Sequence, residues 1–348
     1  MSNINITFVD SAPPSAMPLP EVAIRLHPRD DVAIAKGHLP VGTRLLLDTE
    51  GVPTEVRVER LIPSGHKIAL RDLDQGEPIR RYGQIIGFAT QPIATGEHVH
   101  VHNLGVHEFE RDYAFGVDVV PVTSTPQGER RTFLGYKRAG GRVGTRNYIV
   151  ILSSVNCSAH TSQAIAREFT EEVLAAYPNV DGVIALTHLS GCGNRIGGED
   201  YVLLQRTLAG MARHPNIGGY LMVGLGCEAN QINALVENYD LMGRNGGEVR
   251  QAMPTLVIQE LGGIRRTVEA GVAAIKELLP DVNQAQRTVQ PISELMLALQ
   301  CGGSDGWSGV TANPVVGLVA DEIVRQGGTV VLAETPEIYG AEHLLTRR

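Results

Sequence analysis

From Thr132 onward the chain keeps one rhythm. Apolar runs of strand length, YIVILSSV (148–155), GVIALT (182–187), GYLMVGLG (219–226), PTLVIQEL (254–261), ELMLALQ (294–300) and TVVLAE (329–334), are separated by stretches with helical spacing. Ile165, Phe169, Val173 and Ala176 recur three or four apart, and Pro178 follows as a stop. Val268, Val272, Ile275 and Leu279 do the same, with Pro280 behind them. Near-continuous apolar strands alternating with amphipathic helices require a parallel sheet covered on both faces. Residues 132–348 are therefore read as a mostly parallel, doubly wound α/β domain.

The chain before that point has another character. Residues 1–20 are rich in Pro and Ser and read as a flexible lead-in. Between 21 and 103 the apolar segments are short and β-branched: VAIRL, TRLLL, TEVRVERL, HKIALRDL, IIGFAT and EHVHVHN. Glycines at 42, 51, 65, 76, 83 and 96 punctuate them as turns, so this is a small β-rich domain with one core. Residues 104–131, including VPVTSTPQGERR, lack periodicity and read as a linker.

Composition narrows the function. A net charge of −8 without Lys/Arg clusters argues against a nucleic-acid surface. No apolar run approaches the roughly 18 residues of a membrane span, and the first residues lack the pattern of a signal peptide. Four cysteines are too few for a disulfide scaffold, which points to a reducing cytoplasm.

Those four cysteines carry the strongest pattern. Cys157, Cys192, Cys227 and Cys301 each fall just after an apolar run. In an open α/β sheet the carboxyl ends of the strands form the ligand crevice, so all four are placed to face one site. A single strand-end cysteine reads as a small buried hydrophobe; four of four favour function. Glycines concentrate at the same ends, among them Gly191, Gly193, Gly224, Gly226, Gly302 and Gly303. Glycine permits close backbone approach and positive φ. His188, Asn194, Glu228, Asn230, Ser304, Asp305, Thr311 and Asn313 lie alongside. GLG at 224–226 is not a dinucleotide fingerprint, because the full GxGxxG and its acidic partner are missing.

The β-rich domain has its own constellation. His98, His100 and His102 are two apart, so a strand would project them from one face. Imidazoles on one face are candidate metal ligands, and His27 and His66 sit where they can join them. The competing reading is a solvated strand face.

LIPSGHKIALRDLDQGEPIRRYGQIIGFA followed by GEHVHVHN resembles the N-terminal SAF-type β-clip domain of the altronate/galactarate dehydratase family. GRVGTRNYIVILSSVNC, THLSGCG, VGLGCE, CGGSDGWSGVTANP and ETPEIYGAEHLL resemble the second part of the same family. The resemblance covers the chain from about Glu21. It implies a cytoplasmic enzyme that removes water from a sugar acid, gives a 2-keto-3-deoxy acid and depends on a divalent metal, Fe²⁺ or Mn²⁺. The histidine-rich GEHVHVHN favours D-altronate, converted to 2-keto-3-deoxy-D-gluconate, with D-galactarate or another hydroxy acid as the alternative. Family members continue past GAEHLLTRR, so the α/β part is expected to be truncated on its C-terminal side.

Dehydration needs a base for the C2 proton, an acid for the departing hydroxide, and stabilisation of the negative charge that develops. His27, His66 and His100 are the expected metal ligands. His188, Cys192, Glu228 and Asp305 are the expected catalytic groups. Cys157, Asn194, Cys227, Cys301, Ser304 and Asn313 are expected to bind substrate. Within the same reaction, an iron–sulfur cluster on the cysteines is the rival cofactor. A non-catalytic fragment that binds a sugar acid and a metal, and a thiol-dependent hydrolase using Cys192 with His188, are the readings from other classes. The expected partners are a small-molecule sugar acid and further copies of the chain, with no nucleic acid and no membrane.

Overall fold

Short strands and frequent turns build the first part of the chain. The structure is a computed structural model and describes residues 16–49, 52–111, 113–241, 253–303 and 305–348. It divides into two units: Met1–Pro121 with Ala298–Asp321 and Leu332–Arg348, and Val122–Leu297 with Glu322–Val331.

The first unit contains β1 (Met17–Pro18), the single-turn helix α1 (Leu19–Val22), β2 (Ala23–Ile24), β3 (Val32–Ala35), β4 (Arg44–Thr49), β5 (Val52–Arg57), β6 (Lys67–Ala69), β7 (Pro78–Arg81), β8 (Gln84–Ala89), β9 (His98–Val99) and β10 (Leu104–Gly105). They form three small sheets, in the orders β2-β3-β6-β9, β1-β4-β5 and β10-β8-β7. The apolar residues gather in two clusters rather than one core. One centres on Leu45, Val56, Ile62 and Ile68, the other on Leu73, Ile79, Ile93 and Val99. The β7–β8 hairpin closes through Tyr82 (φ 57°) and Gly83 (φ 68°). Two successive positive φ values match the right-handed strand twist, as a primed turn does.

The histidine segment differs from the expected strand. Only His98 and Val99 are extended. The chain then turns, with the N–H groups of Asn103 and Leu104 both donating to the His100 carbonyl at 2.9 Å. Asn103 fixes the turn from within: its Oδ1 accepts the His100 N–H at 2.9 Å and its Nδ2 donates to the His98 carbonyl at 3.0 Å.

The second unit begins with β11 (Thr132–Lys137) and β12 (Val143–Gly144), then alternates: β13 (Tyr148–Ser153), α2 (Ala159–Arg167), α3 (Glu171–Leu174), β14 (Gly182–Leu186), α4 (Glu199–Ala212), β15 (Ile217–Gly224), α5 (Ile232–Tyr239), β16 (Thr255–Val257), α6 (Ile264–Asn283) and β17 (Thr288–Pro291). β13, β14, β15 and β16 form one wholly parallel sheet in the order β14-β13-β15-β16. Alternate residues of the central strands face opposite helix layers. Ile149, Ile151, Leu221 and Val223 pack with Ile165 of α2 and Ile275 and Leu279 of α6. Val150, Leu152, Tyr220 and Met222 pack with Leu208 of α4 and Ile232 and Leu235 of α5. The sheet is thus doubly wound, as its apolar runs require.

Asn147 anchors the start of β13. Fully buried, it donates from Nδ2 to the carbonyls of Asn179 (2.7 Å) and Val282 (2.9 Å) and accepts from Arg138 (2.9 Å).

Three expectations are corrected here. The runs at 294–300 and 329–334 do not join the parallel sheet; their strands, β18 (Met296–Leu299) and β19 (Thr329–Leu332), form a separate two-stranded pair. The helix expected to stop before Pro178 is two short helices, broken where Thr170 turns extended (ψ 169°) and caps α3. α6 does not stop at Pro280 but runs to Asn283, with Pro280 in its last turn. There the proline forfeits one helical bond, while Leu279 and Val282 hold the turn in the core. The remaining helices are α7 (Ala312–Arg325) and α8 (Glu342–Thr346).

Candidate functional site

In the sheet order β14-β13-β15-β16 the chain leaves β13 for one side and returns to the other through β15. The crevice outside the carboxyl ends of β13 and β15 is therefore the topological switch point, where open α/β sheets bind ligands. Three loops meet there, each following one of the strands β13, β14 and β15. The Asn156 N–H donates to the Ser190 carbonyl (2.8 Å), the Asn230 N–H to Gly191 (3.2 Å) and the Ala229 N–H to Cys192 (3.2 Å). Glycine is required at two points. Gly191 (φ 101°) would place a Cβ 2.6 Å from the Ser154 carbonyl, and Gly226 (φ 126°) would place one 2.6 Å from Gln259 Oε1.

Glu228 is buried beneath these loops. Its Oε1 accepts from the Ser154 hydroxyl (2.8 Å) and the Leu225 N–H (3.1 Å), and its Oε2 accepts from the Gly226 N–H (2.6 Å). The carboxylate thus clamps the β15 loop to the end of β13. His188 is also engaged at both ring nitrogens. Its Nε2–H donates to the Ser153 carbonyl (2.9 Å) and its Nδ1 accepts the Ser190 N–H (3.2 Å). Asn194 Oδ1 accepts from the Ser190 hydroxyl and the Gly191 N–H, while its buried Nδ2 has no partner.

Cys157, Cys192 and Cys227 are exposed free thiols on these three loops. Desolvation in the crevice, then the neighbouring Cys192, Cys227 and Glu228, push the Cys157 thiol above its ordinary range. Cys301, also exposed and in no disulfide, belongs to the first unit, where its N–H donates to Glu334 Oε2 at 2.6 Å.

The first unit gathers a second set of groups. His66 Nδ1 and His98 Nε2 lie 2.9 Å apart. The His100 ring stacks on His66 at 4.9 Å, and His102 lies 5.3 Å from His98, centroid to centroid. Burial first, then the neighbouring His66, His102, His100 and Lys67, lower the His98 pKa to about 4. The ring is therefore neutral near pH 7. Lys67 follows His66 on β6, and burial followed by the charge of Arg81 lowers its pKa.

Of the expected metal ligands, His66 and His100 belong to this cluster. His27 contacts other groups: its Nδ1 accepts the Arg29 N–H (3.0 Å) and lies where a Cβ on Gly83 would meet it at 2.9 Å.

The turn after residue 305 packs within the same unit. The Trp307 indole covers Gly65, where an added Cβ would lie 3.1 Å from Nε1, and a Cβ on Gly306 would lie 2.1 Å from the Gly65 carbonyl. Arg81 reaches the Gly306 carbonyl (3.5 Å), while its Nε is buried without a partner. Asp305 Oδ1 accepts the N–H groups of Trp307 and Ser308, both at 2.7 Å, and so shapes this turn. Asn313 is exposed in the first turn of α7, and Ser304 lies outside the described residues. Lys67, Arg81 and Trp307 were missed in the sequence; the single tryptophan within GSDGWSG was the one available signal.

A separate cavity of about 480 Å³ in the same unit is lined by Arg25, Arg29, Arg71 and Arg80 with Asp30 and Asp31. Asp31 is buried and takes Arg71 Nε at 2.7 Å and the Arg80 N–H at 2.8 Å. Arg80 and Arg81, successive on β7, thus serve different surroundings, as alternation along a strand dictates.

The imidazole donor set suits a divalent first-row ion. Two nitrogens at adjacent octahedral positions about 2.1 Å from an ion lie roughly 3.0 Å apart, close to the His66–His98 spacing of 2.9 Å. The rings meet as bonded and stacked neighbours rather than as a closed coordination sphere. Among the described residues, no group of three His, Cys, Asp or Glu side chains has metal-holding geometry.

Fold and site define a two-part protein: a β-rich unit with a histidine cluster, and a doubly wound α/β unit with a thiol-lined switch point. Family models match in succession. Residues 21–107 match the altronate/galactarate dehydratase SAF domain, 135–283 the second domain of D-galactarate dehydratase/altronate hydrolase, and 292–348 the C-terminal domain of D-galactarate/altronate dehydratase. The chain belongs to the altronate/galactarate dehydratase family.

It is 37% identical over 328 residues to the altronate dehydratase of Bacillus subtilis (strain 168), covering 93% of this chain and 62% of that protein. It is 36% identical over 323 residues to the Escherichia coli (strain K12) altronate dehydratase, covering 92% and 62%. It is 37% identical over 335 residues to the galactarate dehydratase (L-threo-forming) of the same strain, covering 93% and 61%. The chain thus spans less than two thirds of the length of these relatives. Among the described residues no helix is long and apolar enough to cross a membrane.

Proposed function

We propose that this chain serves the dehydration of a sugar acid: D-altronate to 2-keto-3-deoxy-D-gluconate, with D-galactarate as the alternative substrate. The observation that carries the reading is the first unit's cluster of His66, His98, His100 and His102 with Lys67 and Arg81 on its flank. A sugar acid presents a carboxylate beside a hydroxyl, and the two cations suit the former. His98, neutral near pH 7, keeps a nitrogen lone pair for a proton or an ion. Fe²⁺ or Mn²⁺ held by these imidazoles would supply Lewis-acid polarisation of the carboxylate and hydroxyl.

Arg81 reaches the Gly306 carbonyl and its charge acts on Lys67, so the two cations are assigned to the substrate carboxylate. In the second unit, His188 and Glu228 position the switch-point loops, because their polar atoms are occupied by backbone and Ser154. Asn194 keeps a free Nδ2–H for a substrate oxygen. A cytoplasmic, homo-oligomeric enzyme of sugar-acid breakdown fits this reading.

The test is a panel of D-altronate, D-galactarate and their epimers with Fe²⁺, Mn²⁺ or Mg²⁺, assayed for the 2-keto-3-deoxy acid. Product with Fe²⁺ or Mn²⁺ that falls at least tenfold in His66→Ala and in Lys67→Met is the expected result. Turnover that neither substitution changes would remove the imidazole cluster from the mechanism.

A further inference from the structure

The cavity of about 480 Å³ in the first unit is walled by four arginines and two aspartates, with no lysine and no histidine. Both aspartates are buried and engaged by the surrounding chain. Asp30 accepts the Gly83 N–H at Oδ1 (2.6 Å) and the His27 N–H at Oδ2 (2.9 Å). Asp31 takes Arg71 Nε and the Arg80 N–H, and Arg71 pairs with Glu77 as well, at 2.7 Å. The other guanidinium groups keep donors unused. Arg80 Nη1 stands 3.8 Å from Asp31 Oδ2, too far for a hydrogen bond. Arg25 Nη2 donates to the carbonyls of Pro28 and Asp30, but its Nε is buried without a partner. Arg29 makes no side-chain hydrogen bond or ion pair among the described residues. A buried N–H without an acceptor is costly, and crowded guanidinium groups repel; an anion relieves both.

Arginine forks match the oxygens of carboxylates and phosphates. The wall favours phosphate. Its positive groups outnumber its negative ones four to two, and a phosphate monoester carries nearly two negative charges near pH 7, where a carboxylate carries one. Three arginines retain donors, and a phosphate group presents three terminal oxygens. Leu47 and Leu70, buried in the same wall, offer an apolar surface beside the charge. We propose that this cavity binds a small phosphate monoester, its phosphate taken by Arg25, Arg29 and Arg80 and its carbon skeleton set against Leu47 and Leu70. The volume suits such a molecule, since small-ligand pockets span about 300–1,000 Å³. None of the imidazoles lines this cavity, so the proposal stands independently of the dehydration reading.

The experiment is titration calorimetry of the full, metal-free chain with D-glucose 6-phosphate, inorganic phosphate and D-galactarate as probes. Saturable binding of the ester to one site per chain is expected, at least fivefold tighter than inorganic phosphate. Arg29→Gln and Arg80→Gln should each weaken it at least tenfold. Arg29 is exposed, so its variant keeps the test decisive should Arg80→Gln disturb the buried Asp31. Arg44→Gln, which removes a surface pair with Glu55 outside the cavity, and Lys67→Met should leave the affinity within twofold of wild type. No saturable binding, or binding that the two cavity substitutions leave intact, would overturn the site. Loss of binding in Lys67→Met alone would place the phosphate at the imidazole cluster and overturn it as well. Inorganic phosphate binding as tightly as the ester would overturn the role of the apolar wall. Tighter, Arg29-dependent binding of D-galactarate would overturn phosphate as the ligand class. None of these readouts needs turnover, so their failure and that of the dehydration reading are separate.

Discussion

Replacing Glu228 with glutamine tests the clamp beneath the switch-point loops. The carboxylate is 4% exposed and accepts three hydrogen bonds, two at Oε1 and one at Oε2. Glutamine keeps an acceptor at only one of these atoms. Its better orientation leaves the carbonyl toward Ser154 and Leu225 and turns the amide NH₂ against the Gly226 N–H. The cost is one hydrogen bond to a charged group, about 1.5–3 kcal/mol, plus a buried donor without an acceptor, about 1–3 kcal/mol. Taken together, about 3–4 kcal/mol is expected, since the two losses share the Gly226 N–H. For a body of about 150–250 residues, each kcal/mol lowers Tm by roughly 2–4 °C, so scanning calorimetry should show a fall of about 6–16 °C. Ser154→Ala should cost about 1 kcal/mol. The double variant should cost less than the sum, because the two groups share a bond. A Glu228→Gln protein melting within 1 °C of wild type would refute the clamp.

Other outcomes follow from the same geometry. Asn147→Ala strips partners from the Asn179 and Val282 carbonyls and from Arg138. It should cost about 3 kcal/mol in urea unfolding, and a loss under 1 kcal/mol would show that the anchor is dispensable. Gly191→Ala drives a Cβ to 2.6 Å from the Ser154 carbonyl at φ 101°; a lowered Tm and faster alkylation of Cys192 are expected, and unchanged values would contradict the close approach. In the metal-free protein, the His98 pKa near 4 lies below the ordinary 6.5. The unfolded chain therefore takes up the proton first as pH falls. His98 contributes fully to stability above about pH 6.5, and the contribution is lost between there and pH 4. Tm measured across that window should fall less steeply in His98→Asn than in wild type, and parallel curves would dismiss the effect.

Much of the second unit was legible because strands buried on both faces must be apolar throughout, and β13 and β15 are. Apolarity does not name a strand's partner, which is why β18 and β19 read as members of the same sheet. The cysteines were legible for a related reason: a residue just past an apolar run lies at a strand end, and parallel strands share that end. The histidines were half legible. Spacing two put His98, His100 and His102 together, but an actual turn at His100 brings their rings into contact, and His66 enters through the β6–β9 pairing. His27 looked equivalent in sequence and contacts other groups. Arg81 and Trp307 were illegible because their meeting depends on a contact across 225 positions, between Arg81 and Gly306, which no local pattern encodes.

The indole lying over Gly65 gives the molecule an internal lamp. Trp307 is the lone tryptophan of the chain, and the residue it covers is bonded directly to His66. Its emission therefore arises from one place, one residue from the imidazole cluster. A paramagnetic ion arriving there would dim that light, so occupancy can be followed by eye of a fluorimeter, without labels and without knowing the substrate.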